Sequence, residues 1–202
     1  MIELQTDLRQ LKRAVRLLRG VEGGVERALA DALNRGAITM RRYTAPEIRA
    51  QYAVPTRRVR ETLLVAHASP TRLESALVSR GPRESLSATY GGRQVKKGAT
   101  VKVKKSGGRK LIPGAFVATV WAIPKKSKLN TAPVPHTGVF IRRVLGGKRV
   151  PRLPIEELRG PAVPQTARNP EVKQAIQAHG RDRVNQRLKR NVDFLAKRFG
   201  AK

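Results

Sequence analysis

The sequence predicts an α+β protein in which N-terminal helices and a long C-terminal helix pack on an antiparallel β-sheet with extended basic loops and an arm. Three observations lead to this prediction. Apolar residues recur at helical spacing near both ends, short β-branched runs separated by Gly and Pro fill the middle, and the stretch from Ser85 to Ile155 contains no Asp or Glu. One domain is expected, with a helical part at 1–62, a basic sheet at 63–155 with loops at 91–98 and 123–136, and a crossing segment and C-terminal helix at 156–202.

The first predicted helix is amphipathic. Its narrow apolar seam has spacings of four and three and consists of Leu4, Leu8, Leu11, Val15 and Leu18. Gly20, Gly23 and Gly24 interrupt the pattern, and a second apolar stripe then runs from Val25 to about Arg42. This part of the chain is therefore expected to form two helices or one kinked helix.

Two short basic helices are expected next. The segment TAPE at 44–47 resembles a capping box and predicts a helix that ends near Tyr52, and Pro55 opens another that ends at Glu61. Because these two helices carry several arginines, one interpretation is a helix-turn-helix that binds a DNA major groove. Because Pro55 leaves the second helix only about two turns long, and the chain offers no Asn or Gln set for base edges, two packed helices with solvated basic faces are the favoured interpretation.

The middle of the chain predicts a sheet. Strands are expected at 63–67, 73–80, 100–104, 115–121 and 138–144, because apolar and β-branched residues cluster there between turn signals. Pro124, Pro133 and Pro135 exclude a central strand between the last two, so 123–136 is interpreted as a projecting arm. A second loop is expected at 91–98.

The C-terminal part predicts a long helix. Asn169, Pro170 and Glu171 form a good helix start, and Gly180 is a candidate kink. The apolar stripe that follows consists of Val172, Ile176, Val184, Leu188, Val192, Leu195 and Phe199.

The charge of the chain is strongly one-sided. It carries 43 Lys and Arg against 14 Asp and Glu, for a formal net charge of +29. A charge of this size implies salt-sensitive association with nucleic acid, an acidic protein surface or anionic lipid, and it says little about fold.

The composition also limits the sources of stability. The chain has no cysteine, which excludes disulfides, thiolate chemistry and Cys-ligated zinc, and its aromatic content is only 4%. Stability must come from burial of apolar side chains in a modest core or against neighbouring subunits. Self-assembly is therefore expected. Glu3 and Asp7 lie where a signal peptide needs a basic and then apolar start, and the longest apolar run, 111–123, is broken by Pro113 and Gly114. The chain is expected to be neither exported nor membrane-spanning.

No catalytic constellation is visible in the sequence. His67, His136 and His179 are far apart and lack metal-ligand spacing, so each is interpreted as a surface or strand residue. Glu156 and Glu157 follow a proline and read as the acidic first turn of a helix. Three Gly-Gly pairs precede basic residues, but none fits a phosphate-binding loop, and turn glycines are the favoured interpretation.

The acid-free tract is also a poor platform for single-stranded nucleic acid. Its aromatic residues, Tyr90, Phe116, Trp121 and Phe140, lie inside or beside apolar strand runs. Stacking platforms present aromatic rings to solvent among basic residues, so core placement is expected here.

Several blocks occur in an order that resembles a known family. They are GRKLIPGAF at 108–116, GVFIRRV at 138–144 followed by GGKR, LPIEEL at 153–158 and GPAVP at 160–164. Together with ALNR at 32–35 and the terminal amphipathic helix, they are similar to the minor tail protein Z family of tailed phages, which are tail completion proteins. The resemblance covers most of residues 25–200.

The resemblance implies a structural, non-enzymatic virion protein that needs no cofactor and no metal. Such a protein joins the head-proximal end of a finished tail and makes it competent to attach to the head. The implied partners are tail and connector proteins, namely the tail terminator, the tail tube and the neck rings, and six-fold ring assembly is expected by analogy. For the basic loops around 96–110 two anionic neighbours stay open: the genome end, which they would contact without reading sequence, and acidic surfaces of neighbouring rings. No membrane is involved, and the implied location is the virion tail or neck, after assembly in the host cytoplasm.

Two sets of residues are singled out. The candidate DNA- or partner-contacting residues are thirteen of the sixteen cations of the acid-free tract: Arg93, Lys96, Lys97, Lys102, Lys104, Lys105, Arg109, Lys110, Lys125, Lys126, Lys128, Arg142 and Arg143. The motif residues that carry the family resemblance are Ile112, Pro113, Gly114, Ala115, Phe116, Pro154, Pro161 and Pro164.

A second function from another class stays open. The same basic surface would serve a non-specific nucleic-acid-binding protein acting as a free monomer or dimer. An RNA-associated protein of the ribosomal type is disfavoured by the long apolar helices.

Overall fold

A computed structural model of the protein describes residues 2–3, 23–122, 133–142, 144–145, 148–149 and 155–198. The chain forms two compact units: Met1–Ile48, Thr56–Gly81 and Val163–Lys202 make up the first, and Arg49–Pro55 and Pro82–Ala162 make up the second. The amphipathic helix expected at 4–18 lies outside the described residues. The three-part division inferred from the sequence stays a prediction.

The fold class is α+β, as the sequence predicts. The described helices are α1 (Gly24–Gln51), α2 (Thr56–Glu61), α3 (Val163–Ala167) and α4 (Pro170–Arg198). The described strands are β1 (Ile2–Glu3), β2 (Leu63–Ala66), β3 (Ala76–Ser79), β4 (Arg83–Ser85), β5 (Arg93–Val95), β6 (Gly98–Val101), β7 (Lys110–Pro113), β8 (Ala115–Ala122), β9 (Val134–Arg142), β10 (Val144–Leu145), β11 (Lys148–Arg149) and β12 (Ile155–Ala162).

Helix α1 does not break where the sequence predicts. The expected boundary at 44–47 is wrong, because Pro46 lies inside the helix. The Thr44 hydroxyl donates to the Met40 carbonyl at 2.7 Å instead of capping a new helix. Thr44, Ala45 and Ile48 are all fully buried, and this packing holds the helix together across the proline.

Helix α4 confirms the predicted start and most of the stripe. The side-chain oxygen of Asn169 accepts a hydrogen bond from the Glu171 amide at 3.2 Å, which caps the helix. The helix continues through Gly180. Its buried side is formed by Val172, Ile176, Val184, Leu188 and Val192, and Phe199 lies outside the described residues.

The core of the first unit joins α1 and α4. Ala28, Leu29 and Leu33 of α1 share one cluster of buried side chains with Leu188 and Val192 of α4. Beside it, the small antiparallel sheet β1-β3-β2 is closed by the pairing of β2 with β3 from Leu63↔Ser79 to Ala66↔Ala76. The two strands predicted at 63–67 and 73–80 are therefore confirmed, with shorter bounds.

A polar seam runs along the same helix pair. The Asp31 carboxylate accepts hydrogen bonds from Arg187 at 2.7 Å and from Asn191 at 2.8 Å. Burial opposes the ionised form of Asp31, but these donors and their charge outweigh it, so the pKa of Asp31 is lowered. The seam joins α1 and α4 through side-chain hydrogen bonds beside their apolar contacts.

The second unit is antiparallel β-structure. Its described sheets have the strand orders β4-β12-β9-β8, β5-β6-β7 and β10-β11. The predicted strand at 115–121 is confirmed in β8, and that at 138–144 is confirmed in part in β9. At the centre, Tyr90 is 2% exposed and donates its hydroxyl proton to the Pro161 carbonyl at 2.9 Å. Burial, with the nearby Glu84 carboxylate, raises the pKa of Tyr90.

Three expectations about secondary structure in this unit are wrong. The segment 91–98 is largely a hairpin rather than a loop, because Arg93 pairs with Thr100 and Val95 with Gly98. The segment 134–136 belongs to β9, whereas 123–132 lies outside the described residues. Pro135 is tolerated because its pairing with Trp121 lies beyond the part of β9 that pairs with β12.

The third wrong expectation concerns the acidic pair. Glu156 and Glu157 lie on β12, not in the first turn of a helix, and pair with Ile141 and Phe140 of β9. The pairing partner is distant in sequence, so the local pattern after Pro154 gave no sign of it.

Gly98 is required by the hairpin of β5 and β6. Its φ of +152° is unfavourable for other residues, and a Cβ there would lie 2.2 Å from the Ile112 carbonyl oxygen. We expect Gly98→Ala to destabilise the protein by about 3 kcal/mol or more, measured by urea denaturation. Gly107→Ala is the control, because a Cβ there meets nothing within 4 Å. A Gly98→Ala variant as stable as the Gly107→Ala variant would contradict this account.

Candidate interaction surface on the β unit

The sheet β5-β6-β7 carries most of the described candidate cations. Its strands and turns contain no Asp or Glu. Seven exposed cations lie on or next to them: Arg93, Lys96, Lys97, Lys104, Lys105, Arg109 and Lys110. We call these seven residues the basic face. Among the described residues, no carboxylate forms a salt bridge with any of them.

Lys96 and Lys97 occupy the two-residue turn of the β5–β6 hairpin. The pairing of Val95 with Gly98 closes this turn, and the Gly114 amide donates to the Lys97 carbonyl at 3.1 Å. Neither lysine side chain forms a hydrogen bond within the described residues. The turn therefore presents two neighbouring ammonium groups to solvent from a fixed backbone.

Lys104 and Lys105 are held by their backbone. Lys104 forms an isolated antiparallel bridge with Tyr52, and the Lys105 amide donates to the Gln51 carbonyl at 2.8 Å. The side chains are exposed, whereas Lys102 is half-buried and its amide donates to the Tyr90 carbonyl. Lys102 is therefore less available to a partner than its two neighbours.

Arg109 is used inside the unit. Its guanidinium donates to the Thr100 hydroxyl at 3.2 Å, to the Thr100 carbonyl at 2.8 Å and to the Gly91 carbonyl. Neutral oxygens bind this cation where an acidic residue would usually do so. Arg109 thus ties the start of β5 to β6, and only the remaining exposed part of its side chain faces outward.

Arg142 is supported by an aromatic ring. Its guanidinium carbon lies 5.0 Å from the centroid of Phe116, and Phe116 packs on Phe140 at a centroid distance of 6.1 Å. This cation–π contact stabilises an exposed charge without an acid. Both rings are part of the packed sheet, as the sequence predicts for these aromatics.

The described acids of this unit are few and mostly engaged. Glu84 is 1% exposed and accepts a hydrogen bond from the Thr89 hydroxyl at 2.9 Å. Glu157 accepts from His136 at 2.9 Å and from Arg159 at 2.7 Å. Among the residues that the structure describes in this unit, no acid forms a salt bridge with the basic face.

The Glu157 cluster was not found by sequence analysis. Its members come from β9 and β12, and only the register between those strands brings His136 and Glu157 together. Burial opposes ionisation of Glu157, but the hydrogen bonds from His136 and Arg159 outweigh it and lower the pKa of Glu157. The contact between His136 and Glu157 joins β9 to β12 through side chains as well as through backbone pairing.

The other two histidines have separate surroundings. His67 is exposed. In the first unit His179 stacks on Tyr43 at 4.0 Å, and its side chain lies 3.1 Å from a Glu47 carboxylate oxygen. Within the described parts of the chain, no group of three or more His, Cys, Asp or Glu residues is placed to hold a metal ion.

The remaining singled-out residues divide into described and undescribed ones. Ile112 and Pro113 end β7, Gly114 makes the turn with φ +69°, and Ala115 and Phe116 begin β8. Pro161 lies in β12 and Pro164 in α3. Lys125, Lys126, Lys128, Arg143 and Pro154 lie outside the residues whose side chains are described.

No helix in the described part of the chain combines the length and apolar character needed to cross a bilayer.

The sequence matches the family model described as prophage minor tail protein Z (GPZ) over residues 8–200. Neither a curated protein nor a solved structure matches it.

The Glu157 cluster predicts a pH dependence. The folded pKa of Glu157 lies below its ordinary value of 4.5, so its contribution is complete above that pH and is lost as the pH falls through the lower folded pKa. We expect the difference in unfolding free energy between wild type and Glu157→Gln to shrink as the pH is lowered from 7 to 3, measured by urea denaturation. Glu74→Gln, at an exposed position, is the control. A difference that stays constant over this range would contradict the assignment.

Proposed function

The chain belongs to the prophage minor tail protein Z family, and from this premise we propose that it is the tail completion protein that assembles at the head-proximal end of the tail and enables the tail to join the head. Family membership makes it a structural minor tail protein of a phage virion. The position in the tail and the joining step are the parts that we add.

The observation that carries this proposal is the extent of the family match. It runs from residue 8 to residue 200 and so includes both compact units. A match to one unit alone would leave the other free for a different role. We therefore assign one structural role to the whole chain, without catalysis and without a cofactor.

The proposed partners are the neighbouring rings of the tail and neck, namely the tail terminator, the tail tube and the connector. The basic face supports this because it lacks acids of its own and would meet acidic protein surfaces with complementary charge, which speeds encounter and fixes orientation. We propose a homo-oligomeric ring, six-fold by analogy with the symmetry of tails. The protein would assemble in the host cytoplasm and remain in the tail or neck of the virion.

The genome end is a second proposed contact. Exposed lysines such as Lys96 and Lys97 would meet phosphates without reading sequence, and this contact would weaken steeply with salt. Acidic protein surfaces and DNA both carry negative charge, so one basic face can bind either neighbour at the junction of head and tail.

A stop codon early in the gene tests the proposed function. We expect electron micrographs of the lysate to show full heads beside unattached tails of normal length, because tail assembly would finish without the joining protein. Adding the purified protein to that lysate should restore infectious particles. Infectious particles with heads joined to tails in the stop-codon lysate would overturn the proposal.

The alternative, a free non-specific nucleic-acid-binding protein, is favoured by one specific observation: the cations of the basic face lack acidic partners among the described residues. Gel shifts on duplex DNA at 50 and 200 mM salt separate the two proposals. The tail protein is expected to bind weakly and to lose binding at the higher salt, whereas the alternative requires tight, stoichiometric binding that survives it.

The location of any DNA-binding surface can be tested in the same assay. We expect changing Lys96, Lys97, Lys104 and Lys105 to Gln to reduce the slope of log affinity against log salt by about 0.9 for each phosphate that these lysines neutralise in the wild-type protein. The control changes Arg41, Arg181, Lys189 and Lys197, exposed cations of the first unit, to Gln and alters the net charge equally. Equal reductions in both variants would show that net charge, not the basic face, governs binding.

A further inference from the structure

The outer half of the β8–β9 hairpin is a two-stranded ribbon. β8 and β9 pair from Ala115↔Ile141 to Ala122↔Val134, but β12 pairs with β9 only as far as Leu158↔Val139. Beyond that point, no other described strand pairs with β9. Two paired strands that no third strand joins are only marginally stable in water on their own, so this ribbon gains from a partner.

The ribbon becomes exposed toward its end. Near the sheet, Ala115 is 2% exposed and Val139 is fully buried, whereas Trp121 is 71% and Val134 is 46% exposed. Trp121 is the only tryptophan of the chain. Tryptophan side chains are usually largely buried, so one with most of its surface in water is unusual. Tryptophan is also among the side chains that most often anchor protein interfaces.

This exposure corrects the sequence-based expectation for one aromatic residue. Trp121 was expected in the core because it ends an apolar strand run. It lies instead on the strand face of Ala115, Val117 and Thr119, which loses its cover as the ribbon leaves the sheet. Thr119 and Thr137 bond to each other through their hydroxyls at 2.8 Å, so they need no polar partner from elsewhere.

Charge selects the kind of partner. The hairpin belongs to the acid-free tract of a chain with net charge +29. Glu157, the carboxylate bonded to His136 of the ribbon, is already engaged by Arg159. A second copy of this chain would bring the same positive charges toward the ribbon, whereas a different protein with acidic residues would attract it.

We propose that the outer ribbon docks through Trp121 into an apolar recess on a different, acidic protein of the phage tail. The inference rests on the proposed function, because it takes the partner from the tail. Trp121 fills the recess, and the net positive charge of the chain attracts it to the acidic partner.

The test is incorporation of purified protein into tails from a stop-codon lysate, measured from the protein retained on tails after sedimentation. We expect Trp121→Ser to be retained at least tenfold less than wild type at equal concentration, and Trp121→Tyr to recover much of the loss. Phe194→Ser is the matched control, because Phe194 is 59% exposed on the first unit. Thermal melts verify that each variant is folded.

The outcomes separate this inference from the proposed function. If wild type and Trp121→Ser are retained equally, the docking inference is wrong and the tail role stands. If wild type itself is not retained, both fall together. If wild type forms oligomers at rising concentration that Trp121→Ser does not, the ribbon binds a second copy of this chain and the proposed partner is wrong.

Discussion

Repulsion between closely spaced cations is the constraint on which the rest of the structure depends. In the second unit the chain meets it largely without acids: Arg109 is bound by carbonyl and hydroxyl oxygens, Arg142 lies over Phe116, and Lys96 and Lys97 project from a tight turn. For Arg109 and Arg142, neutral partners hold the guanidinium in place and leave its positive charge uncancelled. The second unit therefore carries positive charge that its described acids do not neutralise.

The first unit binds several of its cations with acidic side chains. Asp31 binds Arg187 across the two long helices, and Glu61 pairs with Arg57 and Arg58 within one turn of α2. In this unit these acidic side chains form ion pairs within the fold, and apolar side chains such as Leu188 form the buried core. Both units keep a surplus of cations, with 24 Lys and Arg against 11 Asp and Glu in the first and 19 against 3 in the second. The second unit has far fewer acids for its cations, and an anionic neighbour would complement its charge, which fits a protein that is built into a larger particle.

Sequence patterns predicted those elements that local spacing decides. The α4 stripe, the capping Asn169 and the strand at 115–121 all follow from residues close together in the chain. The errors arose where distant contacts decide. Burial carries α1 through Pro46, and pairing with β9 makes Glu156 and Glu157 part of a strand. The basic face was visible as a charge pattern, but that Arg109 is engaged and Trp121 exposed follows only from the tertiary structure.

We propose that this protein lies where the tail meets the head, and the first measurement to make is cryo-electron microscopy of intact virions, with the helix pair α1 and α4 as a search object. We expect density for this helix pair in a rotationally symmetric ring at the head-proximal end of the tail. Density for the pair along the shaft or at the distal tip would overturn the proposed position.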